Sequence, residues 1–226
     1  MQTLQEVAYD HIIKLIKMKK IDPEKIYSET KMAKQIGVSR TPFRDAIHRL
    51  AQDGYLDIIP SKGFRIHQLT LKDVDETFQM RSAIEGYCTL QITKEYQLDA
   101  SKVLFSRLDE LLFQMKRIMK TSHLKEEFWE YDYRFHVEIV HHLNNDLFNR
   151  TFESYMYRIE RLAMLSLEHE ERMENTITEH EDILNVMKSG DVTRIMEVTL
   201  RHMENPHDIN IDDLNSMNAK KIPDIL

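Results

Sequence analysis

Apolar positions recur three and four residues apart along most of this chain, and alternate in only one short segment. Val7, Ala8, Ile12, Leu15 and Ile16 predict a helix over residues 5–19, with lysines on its other face. Asp22-Pro23 ends it. Ser28 stands where a cap would open a second helix carrying Met32, Ala33 and Ile36, and Gly37 stands where that helix would close. Ser39 is placed to cap a third, which turns Phe43, Ala46, Ile47 and Leu50 inward and stops near Asp53-Gly54. The period then drops to that of a strand. Tyr55–Ile59 and Phe64–His67 flank Pro60-Ser61-Lys62-Gly63, which predicts a hairpin. Helix, helix, turn, helix and hairpin in this order make a winged helix-turn-helix.

Beyond Leu69 the helical period returns and stays. Thr70 with Asp73 predicts a capped start for residues 71–95, which bear Val74, Phe78, Met80, Ile84, Tyr87, Cys88 and Ile92. Asp99 or Ser101 opens the next helix, with Leu104, Leu108, Leu111, Leu112, Met115 and Ile118 on one stripe. Residues 124–143, 146–168, 173–188 and 191–204 predict four more, punctuated by Asn145-Asp146 and Ser189-Gly190-Asp191. The fold class is therefore mainly α. It comprises an N-terminal winged helix-turn-helix over 1–69 and a C-terminal all-α helical bundle over 70–205. Residues 206–226 read as a loose polar tail.

Composition narrows the picture. With only 5 Gly and 5 Pro in 226 residues, long helices are favoured over a sandwich or barrel. Residues 1–68 hold 12 Lys/Arg against 8 Asp/Glu, whereas residues 69–226 hold 19 against 30. A basic head on an acidic body points to a polyanion meeting the head alone. No apolar run is long enough to span a membrane, and the N-terminus lacks the pattern of a signal peptide. One cysteine, Cys88, excludes an internal disulfide framework. Together these predict a cytoplasmic protein.

The stretch from Ser28 to Ile66, above all Gly37-Val-Ser-Arg-Thr-Pro-Phe-Arg-Asp-Ala-Ile-His-Arg-Leu50, resembles the winged helix of GntR-family transcriptional regulators. The second region resembles the all-helical FCD-type effector domain of the FadR branch. The residues that carry this likeness are Arg81 with Ile84-Glu85, Asp132 with His136, Asn145 with Leu147-Phe148, Glu179-His180, and His202. Leu147 comes one place early for that pattern, and Thr30 stands where relatives often have Arg. The resemblance implies a ligand-responsive DNA-binding regulator that works as a homodimer on a double-stranded operator. A repressor of a metabolic operon, released by a small organic acid, is preferred over an activator.

In that reading the third helix enters the major groove with its N-terminal residues on base edges. Arg40 and Arg44 read bases, Ser39 and Thr41 bind or position, and Lys62 and Gly63 of the wing approach the backbone, Gly63 because it has no Cβ. The competing role for Arg40 and Arg44 is a solvated helix face paired with Asp45 or Glu29.

Asp132 and His136 are four apart and share a helix face. His180 and His202 lie at similar distances either side of Gly190, so antiparallel helices joined there would bring them level. Three imidazoles and a carboxylate suit a divalent transition metal: Zn, Ni or Mn. Remaining coordination positions would take water or an effector carboxylate. Arg81 has two readings, a fork for an effector carboxylate or a structural pair with Glu85. His123, His141, His142, His169 and His207 fall outside the pattern and are expected at the surface.

Two other classes compete. A helical metalloenzyme with an accessory winged helix would need a recognisable ligand set. Glu138 with His141 gives one Glu-x-x-His pair, but the second, Glu204 with His207, contains Pro206, and no His-Glu-x-x-His, phosphate loop or nucleophile elbow occurs. A protein-binding adaptor would not need Arg40 and Arg44. The chain is thus read as a regulator and not an enzyme.

Overall fold

The computed structural model describes residues 2–220. The chain divides into two compact units, Met1–Leu69 and Thr70–Leu226. Among the described residues no helix is long and apolar enough to cross a membrane.

The first unit contains α1 (Leu4–Lys17), α2 (Glu29–Gln35), α3 (Arg40–Gln52), β1 (Leu56–Ile59) and β2 (Gly63–Ile66). Ala8 and Ile12 of α1, Phe43, Ala46, Ile47 and Leu50 of α3, and Phe64 of β2 are all fully buried. Each large apolar side chain so buried contributes about 1.5–3 kcal/mol relative to exposure. The strands pair antiparallel with Leu56 opposite Ile66 and Ile59 opposite Gly63. Tyr27 adds a bridge to Phe64, exchanging backbone hydrogen bonds of 2.7 and 3.0 Å, so the hairpin is laced to the segment before α2. Ser28 caps α2 through Lys31 N. Ser39 occupies the cap position of α3 but makes no side-chain cap bond, which departs from the expected role.

The second unit contains α4 (Leu71–Lys94), α5 (Asp99–Lys120), α6 (Lys125–His142), α7 (Asp146–Ser154), α8 (Met156–Ser166), α9 (Arg172–Ser189) and α10 (Ile195–Lys220). Thr70 and Asp73 cap α4 reciprocally. The core runs from Cys88 and Ile92 through Leu108 and Met115 to Phe128, Phe135, Ile139, Met187 and Val198. Burial pushes the Cys88 thiol up to about 12, so it packs as a small apolar residue.

Three expectations change here. Residues 146–168 form two helices, broken at Tyr155, whose N–H bonds to Phe152 O three residues back. The last α-helix starts at Ile195 because Asp191 Oδ1 accepts from Thr193 N and Arg194 N, holding the preceding residues in a turn. The tail is not loose. Its described part continues α10 through Pro206 to Lys220, because Met203, Pro206, Asn210 and Leu214 extend a buried stripe at helical spacing. Asn210 Nδ2 donates to Pro206 O at 2.6 Å within that stripe. Residues 221–226 lie outside the described residues.

Candidate nucleic-acid interface and metal centre

One cleft of the first unit lies between α3 and the hairpin. Arg40, Arg44 and His48, at successive four-residue steps of α3, line it from one side, and Ser61, Lys62 and Gly63 from the other. Arg44 is half exposed, with its Nε 3.4 Å from Glu29 Oε2. Thr41 is exposed on the first turn of α3, and Ser39 is exposed just ahead of it, but neither lines the cleft. Gly63 has φ +129°, and a Cβ there would sit 2.0 Å from Tyr27 O. Its lack of a side chain is thus required by the lacing to Tyr27, a reason the sequence did not reveal. His48 was also missed. Its signal was the four-residue step from Arg44.

The second candidate site is internal, and its candidate ligands are drawn from three helices. His136 of α6, His180 of α9 and His202 of α10 are all buried. Their Nε2 atoms form a triangle of edges 3.2, 3.3 and 3.3 Å. Asp132, one turn before His136, places Oδ1 3.7 Å from His180 Nε2. Phe135 stacks on the His180 ring at 4.2 Å and fixes its plane. The hairpin of α9 and α10 turns at Gly190, with φ +72° and Tyr96 packed where a Cβ would go.

The protons on two of these rings follow from their partners. His136 Nδ1 meets Glu85 Oε2 at 2.5 Å, and His202 Nδ1 meets Glu179 Oε2 at 2.7 Å. A carboxylate only accepts, so Nδ1 carries a proton, and in the neutral ring Nε2 then presents a lone pair. Burial would raise both carboxyls, but the arginine charges and the hydrogen bonds that the carboxylates accept outweigh it. Arg81 and His136 hold Glu85 at about 2, and His202 and Arg172 hold Glu179 at about 2. Burial, together with the neighbouring imidazoles, drives His180 well below its ordinary value, and burial lowers His202 despite Glu179.

Two lone pairs therefore face each other at 3.3 Å, and His180 can place a proton toward only one of them. The donor set fits a cation. Three nitrogens at about 2.0–2.1 Å from one tetrahedral ion lie roughly 3.3–3.4 Å apart, close to the observed edges. Behind His136 and His202 the hydrogen bonding continues outward, whereas the buried Nδ1 of His180 has no hydrogen-bond partner among the described residues. Glu179 accepts from Arg172 at 2.9 and 2.8 Å and from Asn205 at 2.7 Å, besides His202. His136, His180 and His202 form a group whose ligand atoms lie within 4.8 Å of one another.

Comparison with known proteins agrees with both halves. Residues 4–66 match the gntR family of bacterial regulatory proteins, and residues 76–205 match the FCD domain. The chain belongs to the gntR family, in its FCD-domain form. It is 27% identical to the uncharacterized HTH-type transcriptional regulator YdhC of Bacillus subtilis, over 86% of this chain and 85% of that one. It is 24% identical to the HTH-type transcriptional repressor RspR of Escherichia coli, over 81% and 78%. Among solved structures, the Zn2+-bound FCD domain of TM0439 superposes with a TM-score of 0.53 at 21% identity, covering 66% of this chain and 99% of that one. As a gntR-family protein the chain is a transcriptional regulator, not an enzyme.

In this FCD domain a cavity of about 30 Å³ opens beside the cluster, lined by Asp132, His136 and His202 and by two arginines, Arg81 and Arg172. Arg81 Nε donates to Glu85 Oε1 at 2.7 Å, so the structural pair is present. Its buried Nη2 has no hydrogen-bond partner among the described residues. The remaining histidines divide. His123 and His169 are exposed as expected, whereas His141, His142 and His207 are half-buried. His207 packs edge-on against Phe78 and pairs with Asp75 at 2.9 Å, because the helix carrying it continues past Pro206 along α4. The sequence reading also missed Glu85 and Glu179 as partners of imidazoles. Glu179 adjoins His180 in sequence, but neighbouring helical residues point about 100° apart, so it serves His202.

Proposed function

We propose that this protein is a homodimeric repressor of a metabolic operon, cytoplasmic, whose buried centre holds one divalent transition metal and a small organic acid that releases it from DNA. One observation carries the reading. Converging imidazole lone pairs lie beside a cavity that an incompletely bonded guanidinium also lines. Asp132, His136, His180 and His202 would hold the ion, with Zn, Ni or Mn compatible with the donors. The ion would supply positive charge and open positions for a carboxylate oxygen. Arg81 would orient that carboxylate through Nη2, while Glu85 and Glu179 keep the imidazoles in the ligating tautomer. TM0439, whose FCD domain is Zn2+-bound in its solved structure, supports a metal reading by likeness of fold.

In the head, Arg40 and Arg44 would read bases, with Ser39, Thr41, Lys62 and Gly63 on the backbone. A ligand alters operator affinity only by favouring one conformational state over another. Elemental analysis of the wild type and of a His180→Ala/His202→Ala variant tests the centre. One equivalent of metal in the first and none in the second is expected, and equal content in both would exclude these ligands. Light scattering of the full chain should report a dimer, and a strict monomer at micromolar concentration would contradict the two-fold operator reading.

A further inference from the structure

Among the described residues, Glu29 is the one acid lining the cleft between α3 and the hairpin. It stands on the first turn of α2, with Arg40, Arg44 and Lys62 around the same cleft. A carboxylate in a cleft that receives a polyanion opposes binding. Its presence there calls for a reason.

Stability does not supply one. The Glu29 side chain is 14% exposed, but that of Arg44 is 52% exposed and the pair is long, at 3.4 Å. Pairs so open to water contribute little. An acid on the first turn of a helix also gains from the helix dipole. Ser28 already caps this turn, however, and the Glu29 carboxylate is bonded across the cleft to Arg44, fifteen positions later.

The geometry of the contact does supply a reason. Arg44 donates to Glu29 Oε2 through Nε, and makes no other side-chain hydrogen bond among the described residues. A guanidinium is a rigid planar fork, with Nε on one edge and the two Nη groups at its end. With Nε engaged, both Nη groups stay free to donate together to guanine O6 and N7. An arginine already held also loses less side-chain freedom on meeting a base. The charge of Glu29 makes Arg44 a weaker partner for phosphates, which every sequence offers alike.

We propose that Glu29 is a positioning residue for operator recognition, holding Arg44 by its Nε so that the guanidinium meets a base edge and not a phosphate. The assignment rests on the reading of Arg44 as a base reader. Glu29 itself touches no base. It raises the ratio of matched to unmatched affinity, by favouring the first and opposing the second.

Anisotropy titrations of the full chain test this, on an operator recovered from genomic fragments that the protein retains and on a scrambled version at the same salt. Glu29→Gln should bind the operator about tenfold more weakly and the scrambled DNA about threefold more tightly. Glu29→Asp keeps the charge but shortens the reach, so it should lose operator affinity without the gain on scrambled DNA. In an Arg44→Ala background, Glu29→Gln should leave the ratio of the two affinities unchanged. All these variants should melt with the wild type. Equal gains on both DNAs would reduce Glu29 to a repulsive charge and overturn the proposal. A ratio that still falls in the Arg44→Ala background would show that Glu29 does not act through Arg44. A lowered melting temperature with parallel losses on both DNAs would make Glu29 a structural residue of α2. Arg44→Ala with its base preference intact would overturn the Arg44 reading itself, and the positioning role with it.

Discussion

The head and the bundle keep their candidate chemistry in opposite conditions. In the head, Arg40, Arg44 and Lys62 are exposed and lie within one stretch of sequence. In the bundle, Asp132, His136, His180 and His202 are buried and converge from three helices. An exposed cation needs little from its surroundings, since water solvates it until DNA arrives. A buried imidazole N–H needs an acceptor. That is why Glu85 and Glu179 stand behind His136 and His202, and why each carboxylate is in turn held by an arginine. Substitutions should therefore act differently in the two places. In the bundle they should reach stability as well as metal; in the head they should reach only DNA.

The largest effect should come from Glu179→Ala. It removes the partner of buried Arg172 and of His202 together, and an uncompensated buried charge costs about 3–5 kcal/mol. Urea unfolding followed through Trp129, the single tryptophan and part of the bundle core, would measure it. A loss under 1 kcal/mol would mean that the carboxylate is not integral to the centre.

Acid should separate the two units next. His180 and His202 have depressed folded-state values. Above about 6.5 they are neutral whether folded or not. Below that value the unfolded chain takes up protons that the folded bundle refuses, so stability falls as pH falls, by up to about 1.4 kcal/mol per pH unit for each group. Glu85 and Glu179, held at about 2, add a second loss in the same direction between about 4.5 and 2. Metal loading should steepen the first phase, because protons compete for the ligands. A flat metal-free profile between pH 7 and 5 would contradict the depressed imidazoles.

The same contrast explains what could be read from sequence. The head's elements carry their own markers: Gly37, Asp53-Gly54 and Pro60 through Gly63 punctuate regular apolar spacing. What stayed hidden there was tertiary, since Gly63 is required by Tyr27, thirty-six positions earlier in the chain. In the bundle the break at Tyr155 carries no Gly, Pro or capping side chain, and so left no trace in the pattern. Pro206 misled in the other direction. It marks a stop by propensity, but the buried stripe through Asn210 and Leu214 keeps the helix going. Asp132 with His136 was legible from spacing, and His180 with His202 from the turn at Gly190. The role of Glu179 was not, because its imidazole partner is twenty-three residues away and not beside it.

In the head, Arg44→Ala should cost about 1–3 kcal/mol on a matched operator and relax base preference. The same variant should leave unfolding within about 0.5 kcal/mol of the wild type, because the guanidinium is half exposed and its pair with Glu29 is long. Genomic fragments retained by the protein would supply the operator. Equal losses on matched and scrambled DNA would reassign Arg44 from bases to backbone.

The smallest effect should belong to Lys62. It is exposed at the turn of the wing and makes no ion pair among the described residues, so its loss should leave the fold undisturbed. A lysine on a phosphate acts as a point charge and carries no sequence information. Lys62→Ala should therefore weaken matched and scrambled DNA alike, and lower the slope of log affinity against log salt by about 1. The slope is the sharper readout, since it counts released counterions whatever the absolute affinity. An unchanged slope with unchanged affinity would place the wing away from the duplex. Selective loss on the matched operator would instead make Lys62 a base reader and move part of the head's specificity from α3 to the hairpin.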